Sequence, residues 1–239
     1  MNLSEEHFKN PKVRQAMKML VDYQGIVDTF LKGQFFVHQT FLPMGLFGAV
    51  SYNPWKLDVA KAKALLAEAG YADGFELELT APNVPPWPNI AESIQQTMGQ
   101  AGIRVKIIQV ETKQARSTVL ARKHQMSLAS WAPDYLDPQS NAFPFATNTD
   151  DSDTPNNKTM AWRMHWYIPD VTKEVAAAAK EIDTSKRKQD YETLQKEVTD
   201  DGPFGWMFQN VNRIAIRANV QGFRLGLFED LNYYRTATK

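Results

Sequence analysis

Phe75-Glu76-Leu77-Glu78-Leu79-Thr80 leads through a proline-rich turn to Ile90, Ile94 and Met98, and then to Val105-Lys106-Ile107-Ile108-Gln109-Val110; this stretch decides the fold. Phe75, Leu77 and Leu79 alternate with acidic residues as a half-buried strand does. Ile90, Ile94 and Met98 fall on one helical stripe that ends at Gly102, and 105–110 returns as a strand. A crossover of that length joins parallel neighbours and is almost always right-handed. The step repeats with a helix over 112–122 and a short, largely apolar strand over 125–131. The fold class predicted is α/β.

Upstream, Asp58 caps a helix through Ala69 that closes at Gly70. Asn10 caps another whose first turn holds Pro11, with Val13, Ala16, Met17, Leu20 and Val21 on one face. A second helix is predicted over 24–32, ending at Gly33, and 35–56 reads as a loop punctuated by Pro43, Gly45, Gly48 and Pro54. Downstream, 148–158 is rich in Asp, Asn and Thr and reads as a mobile surface loop. Helices are predicted over 171–182 and 185–200, with Tyr191, Leu194 and Val198 facing inward, until Gly202 and Pro203 end the second. Strands are expected over 204–208 and 213–217, and 222–239 has too little pattern to place.

Composition narrows the class. With 239 residues the chain suffices for one large domain or two small ones, and 43% hydrophobic against 23% charged residues argues against global disorder. Lys plus Arg equals Asp plus Glu at 27 each, which argues against a nucleic-acid partner. The absence of cysteine excludes disulfides, thiolate metal sites and a cysteine nucleophile. No apolar run approaches membrane-spanning length, and 1–6 has neither the basic end nor the apolar core of a signal peptide.

Trp131-Ala132-Pro133-Asp134-Tyr135-Leu136-Asp137-Pro138 leaves the carboxyl end of the last predicted strand, the edge where open α/β sheets bind ligands. Pro133 and Pro138 stop the strand and stiffen the turn beyond it. A carboxylate beside a tryptophan on a rigid turn suits a pocket that receives a ligand cation. The plainer reading makes Asp134 a turn cap and Asp137 an ordinary residue before proline. Trp87, between prolines, is a cleft wall or a loop anchor. Trp162 and Arg163, with Trp166, line the cleft or stack under the 148–158 loop. Lys186-Arg187-Lys188 reads as a solvated helix start.

Three blocks carry a resemblance: Phe8-Lys9-Asn10-Pro11-Lys12-Val13-Arg14-Gln15-Ala16 with Asp22 downstream, residues 58–71 running into Gly74-Phe75, and 131–138. In order and spacing they resemble the family 5 extracellular solute-binding proteins of ABC importers, and Val220-Gln221-Gly222-Phe223 is similar to that family's closing segment. The resemblance implies a periplasmic-binding-protein-like fold (type II, the cluster of large peptide binders), this chain being the carboxyl-terminal half. Residues 8–204 would form the second lobe, a mixed sheet flanked by helices. Residues 205–239 would be a tail crossing the hinge to a first lobe, partly unpaired without it.

The resemblance also implies a function: capture of peptides in the periplasm for import, by lobes that close over the solute and dock on ABC permease subunits. The matching aspartate, Asp134, would receive the peptide α-ammonium, with Trp131 and Tyr135 as apolar walls. Neither cofactor nor metal is implied, and the intact protein is expected to be monomeric and periplasmic or lipid-anchored. Dipeptide binders carry an arginine in the loop corresponding to 81–88, which here holds no basic residue. That departure favours an oligopeptide over a strict dipeptide, with an opine, sugar, haem or nickel complex as the alternative solute. A hydrolase using Asp134 and Asp137 is a remote alternative: three residues apart on a proline-bounded turn, they have no required separation, and no Gly-x-Ser-x-Gly elbow or metal-ligand histidine spacing accompanies them. A ligand-sensing domain of a regulator is the third class, which an upstream DNA-binding segment would reveal.

Overall fold

A computed structural model describes residues 1–226 and 232–239. Glu6–Lys9 (α1) is one turn that buries Phe8. Pro11–Met19 (α2) begins as expected, with the Asn10 side chain accepting the Lys12 N–H at 2.9 Å. Tyr23–Asp28 (α3) stops short of the predicted Lys32, because the Thr29 hydroxyl turns back onto the Gly25 carbonyl at 2.6 Å. Phe35–Val37 (β1) emerges inside the stretch read as loop, and its partner comes from the far end of the chain. No local period can announce such a strand.

Val59–Glu68 (α4) is capped by Asp58, which accepts the Lys61 N–H at 2.9 Å. Glu76–Pro82 (β2), Trp87–Gly99 (α5), Arg104–Val110 (β3), Thr112–Leu120 (α6) and Met126–Ser127 (β4) realise the two predicted crossovers. The sheet has the order β3-β2-β4 and is parallel throughout. Gly74 and Gly102 set its register. Gly74 has φ +74°, and a Cβ there would lie 2.0 Å from the Gly102 carbonyl oxygen, an approach open only to glycine. Both strands therefore start together, Glu76 opposite Arg104. The strand read over 125–131 is shorter than expected: past Ser127 only the Leu128 N–H still reaches Thr80 O, at 2.9 Å, before the chain leaves the sheet.

Gln139–Ala146 (α7) and Met160–Arg163 (α8) were not anticipated; Pro169–Lys180 (α9) and Thr184–Asp201 (α10) match the expected helices. Phe208–Asn210 (β5) pairs antiparallel with β1, and Arg224–Leu225 (β6) pairs antiparallel with Asn232–Tyr233 (β7). Parallel and antiparallel pairings thus both occur, in separate sheets. The expected strands over 204–208 and 213–217 are corrected: pairing falls at β5, and 213–217 has no strand partner among the described residues, leaving Ile214 and Ile216 about half exposed. The portion of the 205–239 tail at 227–231 lies outside the described residues.

Two apolar cores result among the described residues. Val13 and Met17 of α2, Leu66 of α4, and Ile94 and Met98 of α5 pack on Leu77 and Leu79 of the sheet. Phe41 and Leu42 pack with α7, α9 and α10 in the second, where Tyr191, Leu194 and Val198 face inward as expected. Helix α2 ties them. The Arg14 guanidinium donates to the Asp201 carbonyl at 3.2 and 2.9 Å, and the Lys18 ammonium to the Thr199 and Asp200 carbonyls at 2.7 and 3.1 Å. Together they close the last turn of α10, whose carbonyls lack helical partners. Burial lowers Lys18 to about 7, Arg14 adding to the effect and Asp200 and Asp201 opposing it. Among the described residues no helix is long and apolar enough to cross a membrane.

Candidate functional site

Strands β2 and β4 are parallel neighbours, so the loops that continue from them leave one carboxyl edge of the sheet. The turn after β4 has no regular structure, yet side chains hold it firmly. The Trp131 ring meets Phe145 edge-on at 5.1 Å, and its Nε1–H donates to Asn141 Oδ1 at 3.1 Å. The Asp134 backbone N–H donates to Ser140 Oγ at 2.7 Å, and the Tyr135 N–H reaches the same oxygen at 3.3 Å. Trp131 and Tyr135 remain 42% and 49% exposed, enough apolar face to cover a ligand.

The two carboxylates of the turn differ. Asp137 accepts from Arg187, whose Nη2 lies 2.8 Å from both oxygens, and from the Gln139 N–H at 2.9 Å. Asp137 is therefore no ordinary residue before proline, and Arg187 is not part of a solvated helix start: it sits half-buried, 5.1 Å over the Tyr191 ring. Asp134 is exposed, and its carboxylate has neither hydrogen bond nor ion pair among the described residues. A carboxylate with no such partner can accept hydrogen bonds from a cation.

The other sequence candidates are spread wider. Trp87 opens α5 at the carboxyl end of β2, half-buried against the first core, so it anchors the loop while sharing the sheet edge with the turn. Trp162 is 4% exposed, donates its Nε1–H to Ser152 O at 2.8 Å, and carries the Arg122 guanidinium 4.2 Å over its ring. It packs under the 148–158 loop. That loop, read as mobile, is held there, and Asp151 also pairs with Arg122 and His165. Arg163 is half-buried, with its Nη1 3.0 Å from Met160 Sδ, and burial lowers its guanidinium, Arg116 adding to the effect. Among the described residues neither Trp162 nor Arg163 bonds to the 131–138 turn. One described depression, about 560 Å³ and lined in part by Arg14, Asp151, His165 and Tyr167, shares no residue with the turn.

Sequence reasoning missed Ser140, Asn141 and Arg187. One signal was present: Asp137-Pro138 is an acceptor followed by the residue best suited to a first helical turn, and α7 begins directly after it. Arg187 had none, because its partner lies on another element.

A parallel sheet whose carboxyl edge presents such a turn, backed by a helical layer, is the lobe architecture of periplasmic binding proteins. The chain aligns with HbpA2 from Haemophilus parasuis over 100% of its own length and 46% of that chain, at TM-score 0.85 and 26% identity. A dipeptide-binding protein from a Pseudoalteromonas, solved with Met-Leu, aligns over 100% of this chain and 47% of its own, at TM-score 0.77 and 25% identity. Residues 1–153 match the bacterial extracellular solute-binding proteins, family 5 (middle), and the chain belongs to that family. Among curated relatives, a probable D,D-dipeptide-binding periplasmic protein of Escherichia coli K12 is 27% identical over 227 residues, 93% of this chain and 42% of the relative. The chain thus spans less than half the length of each of these proteins.

Proposed function

We propose that this chain is the lobe of a periplasmic or lipid-anchored solute-binding protein that grips a peptide by its amino terminus for ABC import, without catalysis or cofactor. The observation that carries the reading is the exposed Asp134 carboxylate, unpaired among the described residues, on a braced turn flanked by Trp131 and Tyr135. Residues 8–204 form the gripping lobe in this reading, and 205–239 lead back toward an opposing lobe. Trp87, at the same sheet edge, extends the wall. Trp162 and Arg163 act at most through the helix beneath the turn. The lack of a basic residue over 81–88 favours an oligopeptide, whose carboxylate need not be clamped there, over a strict dipeptide.

Magnitudes say what closure adds. An ion pair on an open surface is worth at most about 1 kcal/mol. Removing one partner from a closed, dry, hydrogen-bonded pair costs about 2 to 5 kcal/mol. The exposed Asp134 becomes a strong receptor only when an opposing surface excludes water, so this chain alone should bind weakly. The test is tryptophan fluorescence of the full-length gene product, titrated with pooled peptides of two to six residues, free and acetylated at the amino terminus. A saturable response to the free pool, strongly weakened by acetylation and by Asp134→Asn, is expected. Indifference to both pools would sink the peptide reading and direct the search to opines, sugars, haem and nickel complexes.

A further inference from the structure

We propose that Ser140 and Asn141, in the first turn of α7, are positioning residues that set the preference for a free amino group; this rests on the reading of Asp134 as the ammonium receptor. Among the described residues the turn after β4 has no ladder hydrogen bonds to hold it, so beyond its prolines and the Asp137 N–H to Tyr135 carbonyl bond at 2.9 Å its geometry depends on side chains that reach it. Ser140 Oγ accepts both the Asp134 and the Tyr135 N–H, at 2.7 and 3.3 Å. Asn141 Oδ1 accepts from the Trp131 indole at 3.1 Å, while its Nδ2 donates to the Phe41 carbonyl in the second core. Two neighbouring side chains thus fix the three residues of the turn assigned to the ligand.

Both are buried, Ser140 5% and Asn141 1% exposed, so neither meets a ligand directly and each would leave unpaired groups behind if truncated. The Asp137–Arg187 pair completes the brace. By engaging Asp137 with a cation from α10, it leaves Asp134 as the unneutralised carboxylate of the turn. A carboxylate on a loose turn must be ordered at the moment of binding, and that entropy is subtracted from affinity. A turn pinned beforehand avoids the loss, and the benefit is larger for ligands that use the carboxylate as well as the aromatic walls.

The test uses the full-length gene product and the same free and acetylated peptide pools. In Ser140→Ala, apparent affinity for the free pool is expected to fall about tenfold, the worth of roughly one hydrogen bond, while affinity for the acetylated pool falls less. Amide hydrogen exchange at Asp134 and Tyr135 should accelerate without ligand, and Ser140→Thr should restore both readouts. Asn141→Leu should change the Trp131 emission and weaken free-pool binding in the same way. Ser140→Cys, nearly isosteric and a poorer acceptor, carries the test if the alanine variant does not fold. An unchanged ratio of free-pool to acetylated-pool affinity in a folded Ser140 variant overturns the inference while leaving Asp134 as receptor. A wild-type protein that does not distinguish the pools removes the ammonium reading and this inference with it, whatever the exchange rates show.

Discussion

Carboxylates three residues apart on one turn have different environments because their neighbours differ, not because their chemistry does. Asp137 lies within reach of Arg187 and becomes structural, while Asp134 faces outward and stays available. A similar contrast separates the histidines. His38 places Nε2 2.8 Å from the Leu42 carbonyl, whereas His124 is 2% exposed, with Met164 Sδ 3.2 Å from its Nε2 and, among the described residues, no partner at Nδ1. Burial pushes His124 from 6.5 down to about 3. The folded ring thus binds its proton more weakly than the unfolded one, and protonation favours unfolding. Its stabilisation is complete above pH 6.5 and is lost as pH falls toward 3. The unfolding midpoint of the wild type should therefore drop more between pH 7 and pH 5 than that of His124→Gln; equal drops would show that the ring is not held neutral.

Elements form where local signals and packing agree. Asn10, Asp58 and Asp183 each cap the helix they precede, and the stripe on α5 meets the sheet as its period requires. Gly74 and Gly102 do what periodicity cannot: they bring two backbones into contact so that β2 and β3 begin level. Gly74→Ala combines a positive φ with a Cβ inside van der Waals distance of a backbone carbonyl. It should destabilise the fold by on the order of 3 kcal/mol. Urea denaturation measures this, and a loss of less than half that value would mean that the loop yields easily. Elements that failed prediction share a cause. β1 and β5 are three residues each and exist only through one another, and β4 stops early because the chain must leave the sheet to build the turn.

Across the whole molecule, two cores are joined through α2, which packs its apolar face on the sheet and extends Arg14 and Lys18 to the carbonyls of α10. Fluorescence from Trp166 and Trp206 beside the second core, and far-UV dichroism from all elements, should report one coincident unfolding transition. Two transitions would show the junction to be weak. Lys18 adds a pH signature: its folded value near 7 lies below the ordinary 10.5, so deprotonation favours the fold and stability rises across pH 7 to 10.5. Lys18→Met should remove that rise, as thermal midpoints at pH 6 and 9 would reveal. The α/β class, the parallel crossovers, the main helices and the aromatic, acidic turn were all legible in the linear chain, because alternation, helical stripes and caps are written in neighbouring residues. Which carboxylate stays free, that the 148–158 loop is pinned rather than mobile, and that Ser140, Asn141 and Arg187 hold the turn emerged only from the folded arrangement. Those facts depend on partners tens of residues away or on other elements, and a one-dimensional pattern carries no record of which side chains meet in space.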